Sequence, residues 1–213
     1  MRWILLWSAF SLLTPTEAGA QDYKRSVKLS KGKVRVEFTV RQPEGRPSGP
    51  AHHPRVGVAP SLNPGLTAFL TKAFDEGSKV EAVPASELSA NAVMATQIGS
   101  MLRSEVRNLV DAICRKGKLD YAFFLDQGTP ALKAGFGASF GLGRMHWRSE
   151  QDARLFDCRT KQSVWHQSVL LDTSQSVFKM NNSGTTAGLT GSPEADKAMA
   201  NVIAEKLTGD MAW

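Results

Sequence analysis

Four histidines, two cysteines and one glycine-rich run are the features that could do chemistry in this 213-residue chain. His52 and His53 are adjacent in a proline-rich stretch, while His146 and His166 lie far from them. Two neighbouring imidazoles do not converge on a metal unaided, and no H-E-x-x-H, C-x-x-C or carboxylate triad accompanies them. No serine stands in G-x-S-x-G, so the strained nucleophile turn of the α/β hydrolases is missing. Cys114 and Cys158 stand in no nucleophile motif. Asp120 and Asp126 bracket an apolar run and read as polar strand ends. The glycine run is KAGFGASFGLGR, Lys133 to Arg144. After Gly135 and Gly137 a dinucleotide cradle needs its third glycine where Phe140 stands; after Gly141 and Gly143 it needs one at His146. G-x-x-x-x-G-K fails likewise. The reading is therefore no catalytic residue, no cofactor and no metal: not an enzyme. In the glycine run, Phe136 and Phe140 become candidates for a contact surface.

The first twenty residues carry a different pattern. Arg2, the apolar run Trp3 to Leu13, the polar spacer Thr14 to Glu17 and the triplet Ala18-Gly19-Ala20 have the anatomy of a secretory signal peptide. The apolar run is shorter than the about 20 residues a spanning helix needs. No cysteine follows the cleavage point to take a lipid. The expectation is a periplasmic protein, exported by a cleavable signal and not a lipoprotein.

Charge is concentrated just after that point. Nine Lys or Arg against three acids give residues 21–55 a net charge of +6, and residues 56–213 balance to zero. For an exported chain the anionic partner is not nucleic acid; it is an envelope protein or an anionic envelope surface. The plainer explanation is a sheet edge guarded by Lys and Arg against strand pairing. Lys28, Lys31, Lys33 and Arg35 are the candidate contact residues on this arm.

These residues must be held by elements. Lys33 to Arg41 alternates apolar and polar, the pattern of a half-buried strand, and Val27 and Leu29 precede it across Ser30-Lys31-Gly32 as the other arm of a hairpin. Gln42 to Pro54 holds four prolines and two glycines and reads as a linker or long loop. Strands are expected at Val56, at Val80 and over Tyr121–Leu125. Helices are expected after Pro64, from near Ser86 with a stripe of Leu102, Val106, Leu109, Val110 and Ile113, and after Pro193. Two late strands flank Arg159–Gln162 as a hairpin, and Ser174 to Gly191 reads as a loop. The fold class is α/β (α+β-like): a single mixed β-sheet with helices packed mainly on one face, plus an N-terminal β-hairpin. The organisation is 1–20 signal peptide, 21–54 basic hairpin and Pro-rich linker, 55–213 mixed α/β domain.

Three features carry a family resemblance: the opening strand Val56-GVAP, the strand Tyr121-AFFL after a long helix, and Asp157-CRTKQSV-Trp165. Together they resemble a group of bacterial envelope domains. The group includes the N-terminal domain of the Tol-system periplasmic protein, the curli-secretion channel subunit and lipoproteins that activate peptidoglycan synthases. The last feature is similar to the group's D-x-x-T-G-x-x-x-W hairpin, with Lys161 where the group usually has glycine. The resemblance spans about residues 55–207 and implies a structural motif. In the fold it implies, Cys114 ends a helix feeding the Tyr121 strand, and Cys158 ends the strand pairing antiparallel to it. Both thiols then lie at one end of the sheet, and a disulfide is expected.

The function expected from all this is a non-enzymatic periplasmic interaction module in cell-envelope or outer-membrane assembly. One alternative is an oligomeric outer-membrane secretion-type subunit inserting a hairpin at 133–144, with apolar residues to lipid and glycines to water. Another is an enzyme of unrecognised type. Membrane association is compatible with the first two, and the pattern sets no oligomeric state.

Overall fold

The computed structural model describes residues 22–30, 32–48, 53–61, 64–77, 79–88, 98–126, 144–176 and 193–213, with 144–148 and 174–176 as backbone. Seven strands form one mixed sheet: β1 (Tyr23–Leu29), β2 (Gly32–Val40), β3 (Arg55–Val58), β4 (Glu81–Val83), β5 (Tyr121–Asp126), β6 (Arg144–Asp157) and β7 (Ser163–Ser176). Their spatial order is β1-β2-β7-β6-β5-β3-β4. The described helices are α1 (Pro64–Glu76), α2 (Ala85–Leu88), α3 (Arg103–Gly117) and α4 (Pro193–Asp210). β3 pairs parallel with β4 and β5, and every other pairing is antiparallel. The split follows from the connections: helices intervene between β3, β4 and β5, whereas β1–β2 and β6–β7 are hairpins. The basic N-terminal hairpin continues the same sheet through β2 and β7.

Residue patterns explain which face each strand buries. In β2, Val34, Val36 and Phe38 are buried, while Lys33, Arg35 and Thr39 are exposed. All six residues of β5 are buried because both its faces are covered, the usual reason for a continuous apolar run. Tyr121, Phe123 and Leu125 join a core with Leu66, Leu70 and Phe74 of α1 and Met199, Ile203 and Leu207 of α4. Ala122 and Phe124 join a second core with Leu109, Val110 and Ile113 of α3 and Leu88 of α2. Each such large side chain contributes about 1.5–3 kcal/mol by leaving water.

α3 begins later than its apolar spacing implies. Leu102 is 69% exposed, and its backbone N–H donates to Glu105 Oε2 at 3.0 Å. It is an N-cap and no part of the stripe, which runs through Leu109, Val110, Ile113 and Cys114. At the other end Lys118 adopts left-handed φ (48°), and a Cβ on Gly117 would lie 2.7 Å from Leu119 Cγ. Gly117 is needed for that close approach.

Coverage of the sheet is unequal. α1 and α4 pack together over one face. On the other face α3 and α2 cover only the region from β4 through β5 to the end of β6. No described helix covers that second face over β1, β2 and β7. No helix of the described residues is long and apolar enough to cross a membrane.

Candidate functional site

The face that no described helix covers is built, in β1 and β2, from the polar half of each strand's alternation. Across β1 and β2, Lys24 lies opposite Glu37, Ser26 opposite Arg35 and Lys28 opposite Lys33. Lys24 Nζ is 3.1 Å from Glu37 and Arg35 Nη1 is 3.5 Å from it, so one carboxylate serves two cations. Lys28 and Lys33 oppose each other directly, and neither has an acidic partner among the described residues. Like charges in register destabilise a strand pair, so this end of the face holds unneutralised positive charge. Lys31 lies outside the described residues, as do Phe136, Phe140 and the rest of 127–143.

The opposite side of the hairpin is fastened down. Tyr23 and Val27 pack on the α4 core, Arg25 ion-pairs with Glu205, and Lys206 Nζ sits 5.7 Å from the Tyr23 ring centroid. The backbone N–H and hydroxyl of Ser30 donate to the two Glu194 oxygens at 2.8 and 2.6 Å. Those donors hold the Glu194 carboxyl below its ordinary pKa. The arm is therefore a docked element with Lys24, Lys28 and Lys33 directed outward.

Further along the same face, β6 and β7 bring Asp152, Arg154 and His166 together. Arg154 donates to Asp152 Oδ2 at 3.1 Å, and His166 Nε2 lies 3.6 Å from the same oxygen, too far for a hydrogen bond. His166 and then Arg154 hold the Asp152 carboxyl below its ordinary pKa, against the opposing effect of burial. Sequence reasoning missed this trio because it depends on cross-strand register: Arg154 faces His166, and Asp152 faces Ser168. His53 is exposed and makes no part of the group.

The late hairpin is pinned at its turn. Asp157 is buried and accepts from Ser48 N–H and Oγ–H at 2.8 and 2.6 Å and from the amides of Arg159 and Thr160 at 2.8 and 3.0 Å. Burial pushes its pKa up, but the Ser48 hydroxyl and the three amides outweigh it and leave the carboxyl lowered. Lys161 takes left-handed φ (58°), the conformation glycine adopts without cost, and its ammonium pairs with Asp111 of α3. Trp165 Nε1 donates to Asp210 Oδ2 at 2.8 Å, tying β7 to the end of α4. Cys114 and Cys158 form a disulfide, Cα–Cα 5.6 Å, joining the end of α3 to the start of the turn. Asp126 is buried and accepts from the Gly99 amide at 2.5 Å, while Asp120 accepts from the Arg55 amide at 2.8 Å. The Trp213 ring packs tilted against Tyr121, with centroids 5.1 Å apart.

No protein-family model matches the chain, and no curated protein matches it in sequence. Among solved structures, the PelC dodecamer from Paraburkholderia phytofirmans is similar at 11% identity, with TM-score 0.38, covering 82% of this chain and 96% of that one. A single-substitution variant of the same dodecamer is similar at 10% identity, TM-score 0.38, with 83% and 97% covered. Lipoprotein GNA1162 from Neisseria meningitidis is similar at 14% identity, TM-score 0.37, with 75% and 98% covered.

Proposed function

We propose that this chain is an exported, periplasmic, non-enzymatic interaction module of the cell envelope that docks an acidic partner on its uncovered sheet face. One observation carries the reading. The β1–β2 hairpin is fastened to α4 by its inner side and presents Lys24, Lys28, Lys33 and Arg35 outward, with Glu37 among them and Asp172 of β7 opposite Arg35, so the unneutralised charge is centred on Lys28 and Lys33. Cations carried by a docked hairpin set up a local positive field, which speeds encounter with an anionic surface. The disulfide supports export, because such bonds persist in oxidising compartments. The signal-like first twenty residues agree with it. The alternative of a pore subunit inserting 133–144 rests on the sequence pattern alone, and that of an enzyme of unrecognised type has no residue pattern behind it.

The test is retention of a partner by the full chain. Wild type and K28E/K33E would each be used to recover proteins from envelope extract at 50 and 300 mM salt. The reading predicts one specific partner with the wild type at low salt, released by high salt and lost with the double variant. Equal recovery by both proteins, insensitive to salt, would sink it.

A further inference from the structure

The two edges of the sheet are finished differently. β4, at one end, has 3 residues and is stopped by Pro84, so it offers little to pair with. β1, at the other end, runs 7 residues in unbroken register with β2, without a proline or a bulge. The direction of its backbone groups follows from its neighbours. The amide of Arg41, next after β2, donates to the His166 carbonyl at 3.0 Å, so odd-numbered residues of β2 turn their backbone groups to β7. Even-numbered residues of β2 turn theirs to β1, where they meet Tyr23, Arg25, Val27 and Leu29. The N–H and C=O of Lys24, Ser26 and Lys28 therefore point off the sheet, with no partner among the described residues.

Side chains decide what can pair there. Lys24, Ser26 and Lys28 are exposed, while Tyr23 and Val27 lie half-buried on the α4 side. A strand laid along this edge sets alternate side chains beside the lysines and covers Tyr23 and Val27 with the others. Acids lie toward one end only: Asp22 precedes the strand, and Glu37 serves Lys24 and Arg35. Lys28 and its neighbour Lys33 have none among the described residues. A second copy of the chain is a poor occupant. The antiparallel register that uses the whole strand is centred on Ser26 and sets Lys24 opposite Lys28 twice, like charges that destabilise a pair. Cations that repel a copy attract a strand carrying acids at alternate positions. Resting on the reading that the basic hairpin meets an acidic partner, we infer that β1 binds an extended segment of that partner by strand addition. The segment alternates acidic and apolar residues, with an acid beside Lys28.

The experiment is fluorescence anisotropy of labelled peptides with the full chain at low salt. One peptide alternates valine and glutamate over the length of β1. A second holds the same residues in two blocks. A third is the alternating peptide N-methylated at its central amides, which keeps the charge and removes the donors. The alternating peptide should bind saturably, and the other two at least about tenfold more weakly, since each lost backbone hydrogen bond counts. S26P keeps every charge, and the N–H it removes is one that β2 does not use, so its melting temperature should stay close to wild type. It should weaken the alternating peptide by about tenfold, because the ring stands where the added strand must come. Equal binding of the N-methylated and parent peptides, both lost in K28E/K33E, would overturn strand addition and leave the acidic-partner reading standing. No binding of the alternating peptide, full affinity in a folded S26P, or self-association of the chain that S26P abolishes would also overturn it. Recovery of a partner from envelope extract is read separately, so the two readings stand or fall apart.

Discussion

Single residues of the late hairpin carry an unusual share of its definition. Asp157 satisfies four donors from a buried position, two of them on Ser48, 109 residues away in the Pro-rich stretch. Replacing it by Asn leaves those donors facing a neutral amide and should cost about 2 kcal/mol, read as a lower urea midpoint. Both Asp157 and Asp152 have lowered folded pKa values. Their contribution is therefore full above the unfolded aspartate value of about 3.9 and is lost as pH falls through the lower folded values. Urea midpoints should be flat from pH 7 to 5 and drop below pH 4, and D157N should show a smaller drop; an equal drop in D157N would remove Asp157 from the account. Lys161 makes the opposite forecast. A non-glycine residue in the left-handed region costs roughly 1 kcal/mol, while its solvent-screened pair with Asp111 returns less. K161G should therefore be more stable by about 0.5 kcal/mol; a destabilised variant would show that the ion pair outweighs the backbone. The turn was readable in the sequence because two β runs flank four polar residues, and because Asp157 to Trp165 resembles the hairpin of the envelope-domain group. The Ser48 contact was not, because nothing local marks which residue of a loop folds back.

At the scale of elements, periodicity was informative wherever one environment acted on a whole strand or helix. β2 alternates because one face is buried, and β5 is wholly apolar because two faces are. The start of α3 was misjudged because Leu102 fits the helical spacing yet falls at the cap, where chain direction and not periodicity decides exposure. The Asp152–Arg154–His166 group was invisible for a related reason: strand identity is local, but register is not. The disulfide joins elements whose relation was legible, with Tyr121 paired to Asp157 at the same end of the sheet. It closes a 44-residue separation, for which the chain-entropy model gives about 4 kcal/mol. The C114S/C158S variant should lose about 2–4 kcal/mol in chemical denaturation. A loss under about 0.5 kcal/mol would mean that α3 holds its place by packing alone.

For the whole molecule, the mixed sheet followed from the order of elements, since helices between early strands force parallel neighbours and tight late turns force antiparallel ones. Which half of the sheet no described helix covers did not follow, because the helices' positions along it are set by packing between elements distant in sequence. That half, with its outward cations, is the central functional claim. It is tested most directly by photo-crosslinking in the native envelope from Ser26, exposed in the middle of the basic face, with Asp75 on the outer surface of α1 as control. The account predicts one discrete adduct from Ser26, absent from Asp75 and abolished in the K28E/K33E background. No adduct from Ser26, or the same adduct from both positions with the lysines reversed, would contradict it.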